Sequence, residues 1–119
     1  MSYGVMKTGT RDVPMLANGA TRIHYQHVFG RNLNSFFLMK MSEEENAEVV
    51  GELAYIMASA AAGADMRKLN YDGYIEWIEG FDALDFSTEE AASQIIDIYQ
   101  ANTVSTSEVK KNQGRPRGK

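Results

Sequence analysis

Residues 42–62, SEEENAEVVGELAYIMASAAA, form the only long segment whose apolar side chains recur at helical spacing without interruption. Intervals of three and four residues place one set of apolar side chains on a single face, namely Val49, Leu53, Ile56, Met57 and Ala60. We therefore predict an amphipathic helix here, and we expect the other elements of the chain to cover its apolar face.

Both ends of this segment carry helix signals. Ser42 and Glu45 have the spacing of a capping box, and the acids at 43–45 suit the N-terminal end of a helix dipole. Gly63 is a suitable stop. Alanine occupies 58 and 60–62, so the C-terminal half of the helix is nearly smooth and a second helix could pack closely there.

Length and composition indicate one small globular domain. The chain has 119 residues, of which 44% are hydrophobic, enough for one modest core. No apolar run approaches the ~20 residues of a membrane span, and the N-terminus lacks the apolar stretch of a secretion signal. The absence of cysteine excludes a disulfide framework and a thiolate zinc site, and it is compatible with a reducing cytoplasm.

Charge is unevenly distributed along the chain. Residues 108–119 carry five basic side chains and one acid, a net charge of +4, so the total of −4 leaves −8 on residues 1–107. An acidic body repels phosphate, which argues against a nucleic-acid-binding core. Beyond Thr103 the composition becomes polar, and we predict a helical domain over 1–103 and a flexible basic tail over 104–119.

The N-terminal residues contain two β-compatible pieces. These pieces, 3–7 and 12–16, flank Thr8-Gly9-Thr10 and predict a short hairpin. Pro14 would confine the second strand to a sheet edge. Because an isolated hairpin is marginal in water, this one must lie on the helices or remain loose.

A helix is predicted at 20–29, after the turn signal Asn18-Gly19, with Gly30 as its stop. Thr21 is the candidate cap. The side chains expected to point inward are Ile23, His27 and Val28. The apolar cluster at 32–41 favours a helical turn that leads into the long central helix.

Two more helices are predicted in the second half of the chain. The first, at 72–80, contains Gly73, which weakens a helix by roughly 1 kcal/mol relative to Ala, so tertiary packing must hold it. Its apolar spacing comes from Tyr74, Trp77, Ile78 and Phe81. The second runs from 88 to 102 behind the capping box Ser87-x-x-Glu90. Its apolar face is expected to be Ala92, Ile95, Ile96 and Tyr99.

Together these elements predict a mainly α fold. The prediction is a small helical domain of about four helices, with a possible short N-terminal β-hairpin and a disordered C-terminal tail.

The sequence offers few groups for catalysis or metal binding. His24 and His27 lie three residues apart on a predicted helix, a spacing that could present both imidazoles to one metal. No nearby acid completes a third ligand, so a packing or surface role is favoured. There is no nucleophile motif or phosphate loop, and the paired acids lie in first turns of helices, where the dipole explains them. We expect no cofactor.

The aromatic helix at 71–81 is the strongest candidate for a binding surface. Core packing is the favoured interpretation, because Trp77, Ile78 and Phe81 match one buried face. The alternative is that Tyr71, Tyr74 or Trp77 is partly exposed and anchors a partner, since Tyr and Trp are enriched among interface hot spots. Seven methionines add adaptable apolar surface, although they more often fill gaps in a core.

Four stretches taken in order resemble the tail assembly chaperones of siphophages that infect Gram-positive bacteria. They are VPMLANGATRIHYQHVFGRNL, ELAYIMASAA, YDGYIEWIEGFDALDF and IIDIYQANTVSTSEVKKN, which together extend from 13 to 112. None is a catalytic signature, so the resemblance lies in their order and spacing. The closing NQGRPRGK matches no motif of the family.

The resemblance implies a protein that is not an enzyme and that acts in the cytoplasm of the infected bacterial host. Its expected partners are the phage tape measure protein, which it would keep soluble, and the tail tube protein, which it would help to recruit. Members of the family often have a longer form made by ribosomal frameshifting, which could be a further partner, and they are usually absent from the mature virion. Homo-oligomers are possible, and neither nucleic acid nor a membrane is expected as a partner.

Three other functions remain open from the sequence. The chain could be a structural tail subunit, such as a tube or completion protein. It could be a small metal-dependent enzyme that uses His24, His27 and a carboxylate. It could also be a nucleic-acid adaptor that works through its basic tail.

Overall fold

The computed structural model describes residues 1–8, 11–33, 43–82, 85–86 and 88–114, and the side chains of 43–47 and 102–114 lie outside this description. The elements are strands β1 (Ser2–Lys7) and β2 (Asp12–Ala17), helices α1 (Thr21–Phe29) and α2 (Glu43–Ala61), a 3-10 turn (Met66–Lys68), and helices α3 (Tyr71–Ile78) and α4 (Glu89–Gly114). The fold is mainly α with a two-stranded antiparallel N-terminal hairpin, as predicted.

Helix α2 lies at the centre, and the hairpin and the other three helices of the described chain pack around it. Four of the five side chains predicted for its apolar face are almost completely buried, and the fifth, Ala60, is half-buried. Gly63 ends the helix with φ at +74°, as predicted. The N–H of Ala64 donates to the carbonyl of Ser59 at 3.0 Å, which satisfies one of the last helical acceptors. The predicted Ser42–Glu45 capping box lies outside the described residues.

The predicted hairpin is confirmed, with the register running from Ser2 opposite Ala17 to Lys7 opposite Asp12. Its inner face packs against α2 and α4 and buries Met6, Val13, Met15 and Ala17. The helices therefore stabilise a hairpin that would be marginal alone.

Helix α4 crosses β1 at Gly4. A Cβ at this position would lie 2.7 Å from Cγ1 of Ile98, so glycine permits the close approach.

Helix α1 begins at Thr21, one residue after its predicted start, and ends before Gly30 as predicted, with Gly30 at φ +70° as its C-cap. Its predicted inward face is wrong at two of three positions. Ile23 and His27 are exposed, Val28 is half-buried against the core, and the fully buried side chains are Thr21 and Tyr25. The cause is Tyr25, which is completely buried and whose hydroxyl donates to Oε1 of Glu52 on α2, and this contact sets the rotation of the helix. Thr21 is not the N-cap either: it is the first helical residue, and its Oγ1 accepts from the N–H of Asn18 at 2.8 Å.

The segment between α1 and α2 is described only at its start. Leu33 is buried in the core, and the predicted helical turn at 32–41 otherwise lies outside the described residues.

Helix α3 begins at Tyr71, one residue before its predicted start, and ends at Ile78, two residues before its predicted end. Asn70 is its N-cap, with Oδ1 accepting from the N–H of Gly73 at 2.7 Å. This side-chain bond satisfies one of the free donors of the first turn.

Helix α4 begins at Glu89, one residue after its predicted start, and extends further than predicted. Thr88 caps the first turn, with Oγ1 accepting from the N–H of Ala91 at 3.1 Å, and Ser87 of the predicted capping box lies outside the described residues. The backbone is helical to Gly114 rather than to the predicted 102. No Gly or Pro occurs between 103 and 113, so the first strong helix breakers are Gly114 and Pro116. Ile95 and Tyr99 are buried, as predicted.

Candidate functional site

An aromatic cluster joins helix α3 to α1, α2 and the segment before α4. Its rings belong to Tyr25, Phe29, Tyr55, Tyr74, Trp77, Phe81 and Phe86. Neighbouring centroids lie between 4.7 and 6.5 Å apart in tilted or edge-to-face arrangements, which suit the quadrupoles of aromatic rings. The cluster holds a helix that, at eight residues, is too short to be stable alone.

The three predicted anchor residues of α3 have three different environments. Tyr74 is half-buried, with its ring 5.2 Å from Phe29 and 5.7 Å from Tyr55, so it acts mainly in packing. Trp77 is half-buried and reaches the surface beside Phe81, at 4.7 Å between ring centroids. Tyr71 is 57% exposed. The same helix thus contributes some of its aromatic side chains to the core and exposes another. A binding role for Tyr71, Tyr74 and Trp77 remains a prediction.

An apolar groove opens between β2, the end of α2 and the end of α3. Its volume is about 270 Å³. The lining residues are Arg11, Asp12, Val13, Pro14, Ala58, Ala61, Ala62, Trp77 and Phe81. We refer to this feature as the alanine groove, because alanines of α2 and the residue after it form one of its sides.

The alanine groove corrects the expectation that a second helix packs closely on the smooth half of α2. Strand β2 and the end of α3 flank this half instead, and the described chain leaves Ala61 half-buried and Ala62 exposed. The reason is the short length of α3, which crosses α2 near Gly51 and Tyr55 and ends at Ile78.

Arg11 connects the hairpin to the end of α3 at the rim of the alanine groove. Its guanidinium carbon lies 4.0 Å from the centroid of the Phe81 ring, and its Nη2 donates to the carbonyl of Gly80. A cation at this place also suits the negative end of the helix dipole. Asp12, the other charged residue of the lining, has no ion pair within the described residues.

A polar network lies on α2 at Glu48 and Glu52, N-terminal to the alanine groove, where α1 packs on the helix. Glu52 is only 5% exposed, and its Oε1 accepts from the hydroxyl of Tyr25 at 2.7 Å. Arg31 lies 3.4 Å from the same oxygen and 2.9 Å from Oε2 of Glu48. The network thus provides a buried carboxylate with a neutral donor and a cation, which is the compensation that burial of a charge requires.

Burial is the largest cause of the pKa shifts of Tyr25, Glu52 and Tyr74. It raises the pKa of the Glu52 carboxyl, against the opposing effects of the Tyr25 hydrogen bond and the charge of Arg31. Burial also raises the pKa of Tyr25, and it raises that of Tyr74 to about 12. Both phenols are therefore neutral hydrogen-bond donors at physiological pH, and neither is suited to be a nucleophile there.

The two histidines do not form the centre of a metal site in the described part of the chain. His24 is half-buried and His27 is exposed on α1. No group of three or more His, Asp or Glu side chains close enough to hold a metal ion occurs among the described residues. Within the same residues, no helix combines the length and the apolar character that crossing a membrane requires.

Comparisons with protein-family models, with curated protein sequences and with solved structures give no match for this chain.

Sequence reasoning missed the alanine groove and the polar network. A partial signal existed for each. The alanine run at 60–62 indicated a smooth surface, and Glu52 lay within the most apolar part of the central helix. The sequence could not predict the contacts of Arg11, because its partners Gly80 and Phe81 lie about seventy residues further along the chain.

Proposed function

We propose that this chain is a tail assembly chaperone of a siphophage, which binds the tape measure protein, keeps it soluble and promotes assembly of the tail tube around it. The proposal combines the ordered resemblance of the four sequence stretches with a body suited to holding an apolar client. Such a role needs no active site, because binding the client lowers the concentration of its free, aggregating form.

The observation that carries the proposal is an apolar surface on an acidic body. The alanine groove is open, and Trp77 of α3 is part of its lining. Tyr71, on the same helix, is 57% exposed. Around these residues the body, 1–107, has a net charge of −8, which favours solubility of a complex whose client is apolar. Grooves of this kind accept amphipathic helices in other recognition systems.

Co-expression with the tape measure protein of the same phage tests the proposal. We expect the tape measure protein to move from the insoluble to the soluble fraction and to co-elute with this chain in size-exclusion chromatography. A chain that elutes alone while the tape measure protein stays insoluble would contradict the proposal for this form. The same experiment with the longer frameshifted form, if the genome encodes one, would show whether that form is required.

A structural tail subunit is the second candidate, and one observation favours it. The outer face of the hairpin exposes Tyr3 at 65% and Val5 at 40%, which is suitable for packing between subunits of an assembly. Analysis of purified mature particles by mass spectrometry distinguishes the two functions. A subunit is present in stoichiometric amount, whereas a chaperone is absent.

A further inference from the structure

The hydrogen-bond pattern of the hairpin turns one set of β1 backbone groups outward. The N–H of Thr8 donates to the carbonyl of Arg11 at 3.0 Å, so these two residues form a hydrogen-bonded pair at the end of the ladder. In an antiparallel ladder such pairs alternate with pairs whose backbone groups point away from the partner strand. Counting back along the register, the N–H and C=O groups of Tyr3, Val5 and Lys7 point away from β2.

Helix α4 satisfies this outer edge of β1 only at Lys7. The side chain of Gln94 bonds both outward groups there: its Oε1 accepts from the N–H at 2.8 Å, and its Nε2 donates to the carbonyl at 3.1 Å. One turn later, Ile98 lies against the inner face of β1 at Gly4 instead of at the edge. Within the described residues, nothing bonds the remaining outward groups, and we refer to residues 3–5 as the β1 edge.

The opposite edge of the hairpin is protected against strand pairing, whereas the β1 edge is not. Pro14 occupies β2 opposite Val5, and because it has no N–H it interrupts any ladder on its outer side. The β1 edge contains no proline, and its outer side chains are apolar, with Tyr3 65% and Val5 40% exposed. Unused backbone groups beside exposed apolar side chains are the features of a strand that adds to another strand.

The β1 edge is complementary to itself. When two copies lie antiparallel around a two-fold axis at Gly4, Tyr3 of each copy lies opposite Val5 of the other. Both residues then belong to hydrogen-bonded pairs, which satisfies all the unused groups of the edge. Their side chains form an aromatic and β-branched cross-strand pair, which stabilises a sheet. A register that placed Tyr3 opposite Lys7 would compete with the bonds from Gln94.

We propose that two copies of this chain associate through the β1 edge into a dimer with one four-stranded antiparallel sheet. The strand order is β2-β1-β1-β2, with Tyr3 of each copy opposite Val5 of the other. Both outer strands of this sheet carry Pro14, so its edges are interrupted and assembly stops at two copies. This contact does not depend on the proposed function, because only the hairpin and Gln94 determine it.

Sedimentation equilibrium of the full chain measures the association. We expect the average mass to rise with concentration from 13.3 kDa to a plateau at twice this value. Because small contacts are weak, the concentration range should extend to about 1 mM. A mass that stays at 13.3 kDa over this range, or that rises past the dimer without a plateau, would overturn the inference.

Proline substitution tests the backbone of the edge. Val5→Pro removes an N–H that points away from β2, so the hairpin can still form. Asp12→Pro is the control, because it removes an outward N–H from the exposed first residue of β2. We expect Val5→Pro to weaken dimerisation by about tenfold or more and Asp12→Pro to leave it unchanged. Equal weakening by the two variants would contradict pairing through β1.

A charge on the edge gives a second test that leaves every backbone donor in place. Val5→Lys is expected to weaken dimerisation by about tenfold or more, since a lysine on an edge opposes strand pairing. Ile23→Lys, at a side chain of α1 that is 55% exposed, is the control and should dimerise as the wild type does. Circular dichroism confirms that each variant folds. A folded Val5→Lys variant that dimerises as the wild type does would overturn the inference.

Cysteine cross-linking tests the register, since the chain has no cysteine of its own. Tyr3→Cys and Val5→Cys are mixed in equal amounts and oxidised. In the proposed register, positions 3 and 5 of different copies have Cα atoms about 5.5 Å apart, within reach of a disulfide, whereas 3–3 and 5–5 are diagonal pairs about 7–8 Å apart. We expect the mixed disulfide to exceed the half of the product that random pairing gives. Random proportions would show that the register is wrong.

Amide hydrogen exchange identifies any other occupant of the edge. In a dimer, exchange at Tyr3 and Val5 slows as the protein concentration rises, whereas Met6, already paired with β2, exchanges slowly throughout. If exchange at Tyr3 and Val5 slows only when the tape measure protein is added, the edge binds an extended segment of the client and the inference is wrong.

Discussion

Glycine and tyrosine residues of α2 and α3 contact one another in a reciprocal arrangement. A Cβ on Gly73 would lie 2.7 Å from the hydroxyl oxygen of Tyr55, and a Cβ on Gly51 would lie 3.0 Å from that of Tyr74. Each helix therefore presents a glycine to a tyrosine of the other. The cost of Gly73 within a short helix, which the sequence already indicated, is offset by the close approach that it permits.

Gly73→Ala is therefore expected to destabilise the protein, although alanine is the better helix former. Crowding in a packed interface costs about 1–3 kcal/mol, which exceeds the ~1 kcal/mol gained in helix propensity. Urea denaturation followed by circular dichroism measures the change in the free energy of unfolding. In the Tyr55→Phe background, which removes the obstructing oxygen, the same substitution should be neutral or stabilising. A Gly73→Ala variant that is more stable than the wild type would contradict this account.

Glu52 makes stability depend on pH in a direction that can be worked out. Burial raises its pKa in the folded protein above the ordinary value of 4.5. Below 4.5 the carboxyl is neutral in both states, and its contribution to stability is fully present. As the pH rises through the raised pKa, the folded state must hold a buried charge while the unfolded state holds a solvated one, so that contribution is lost.

Glu52→Gln should remove this dependence while keeping an oxygen that accepts from Tyr25. The free energy of unfolding of the variant, relative to the wild type, is expected to rise between pH 4.5 and 8. Parallel urea titrations over this range measure the difference. A difference that falls with pH would mean that Arg31 lowers the pKa of Glu52 more than burial raises it.

At the scale of elements, the ends of helices and strands are easier to predict than the face that each element buries. The long central helix, the hairpin and the stop at Gly30 follow from local patterns of spacing and turn residues, and the structure confirms them. The rotation of α1 cannot be predicted from local patterns, because it depends on the hydrogen bond between Tyr25 and Glu52, which lies in another helix. Helix α4 is longer than predicted, because the polar composition after 103 predicts an end although no helix breaker occurs before Gly114.

The alanine groove could be predicted only in part for the same reason. The alanines of α2 are visible in the sequence, but the walls come from β2 and the end of α3, which tertiary contacts bring together. Arg11 fixes these two elements to each other through Phe81 and Gly80. Local patterns contain no information about such a contact.

Arg11→Ala is expected to loosen the hairpin from the end of α3. An exposed cation–π contact contributes about 0.5–1 kcal/mol, and a cation at a helix C-terminus contributes about 0.3–1 kcal/mol, so we expect a loss of about 1 kcal/mol. Hydrogen exchange should show faster opening of β2 amides. Arg67→Ala, at an exposed arginine of the 3-10 turn, is the matched control and should change neither quantity. Equal effects of the two variants would show that the Arg11 contact contributes nothing specific.

At the scale of the whole molecule, two aromatic side chains of the described residues are more than half exposed, and they belong to different elements. Tyr71 is 57% exposed on α3, and Tyr3 is 65% exposed on the outer face of the hairpin. The chaperone proposal assigns the client to the first surface, and the tail-subunit alternative favours the second. Substitution of Tyr74 or Trp77 cannot separate folding from binding, because both side chains are half-buried in the aromatic cluster.

Tyr71→Ala separates the two surfaces, since loss of an exposed ring should change stability by no more than about 0.5 kcal/mol. We expect it to weaken capture of the tape measure protein by at least about 1 kcal/mol, the level of a significant interface residue. Tyr3→Ala is the matched control and should bind as the wild type does. Pull-down with each variant measures the effect. The opposite result would place the client on the hairpin.

The most direct test of the chaperone account is light scattering during dilution of denatured tape measure protein into buffer that contains this chain. We expect scattering to fall in proportion to the amount of chain added and to disappear at a fixed ratio of chain to client. A control protein of matched size and net charge should not have this effect. Scattering that is the same with this chain as with the control would contradict the account.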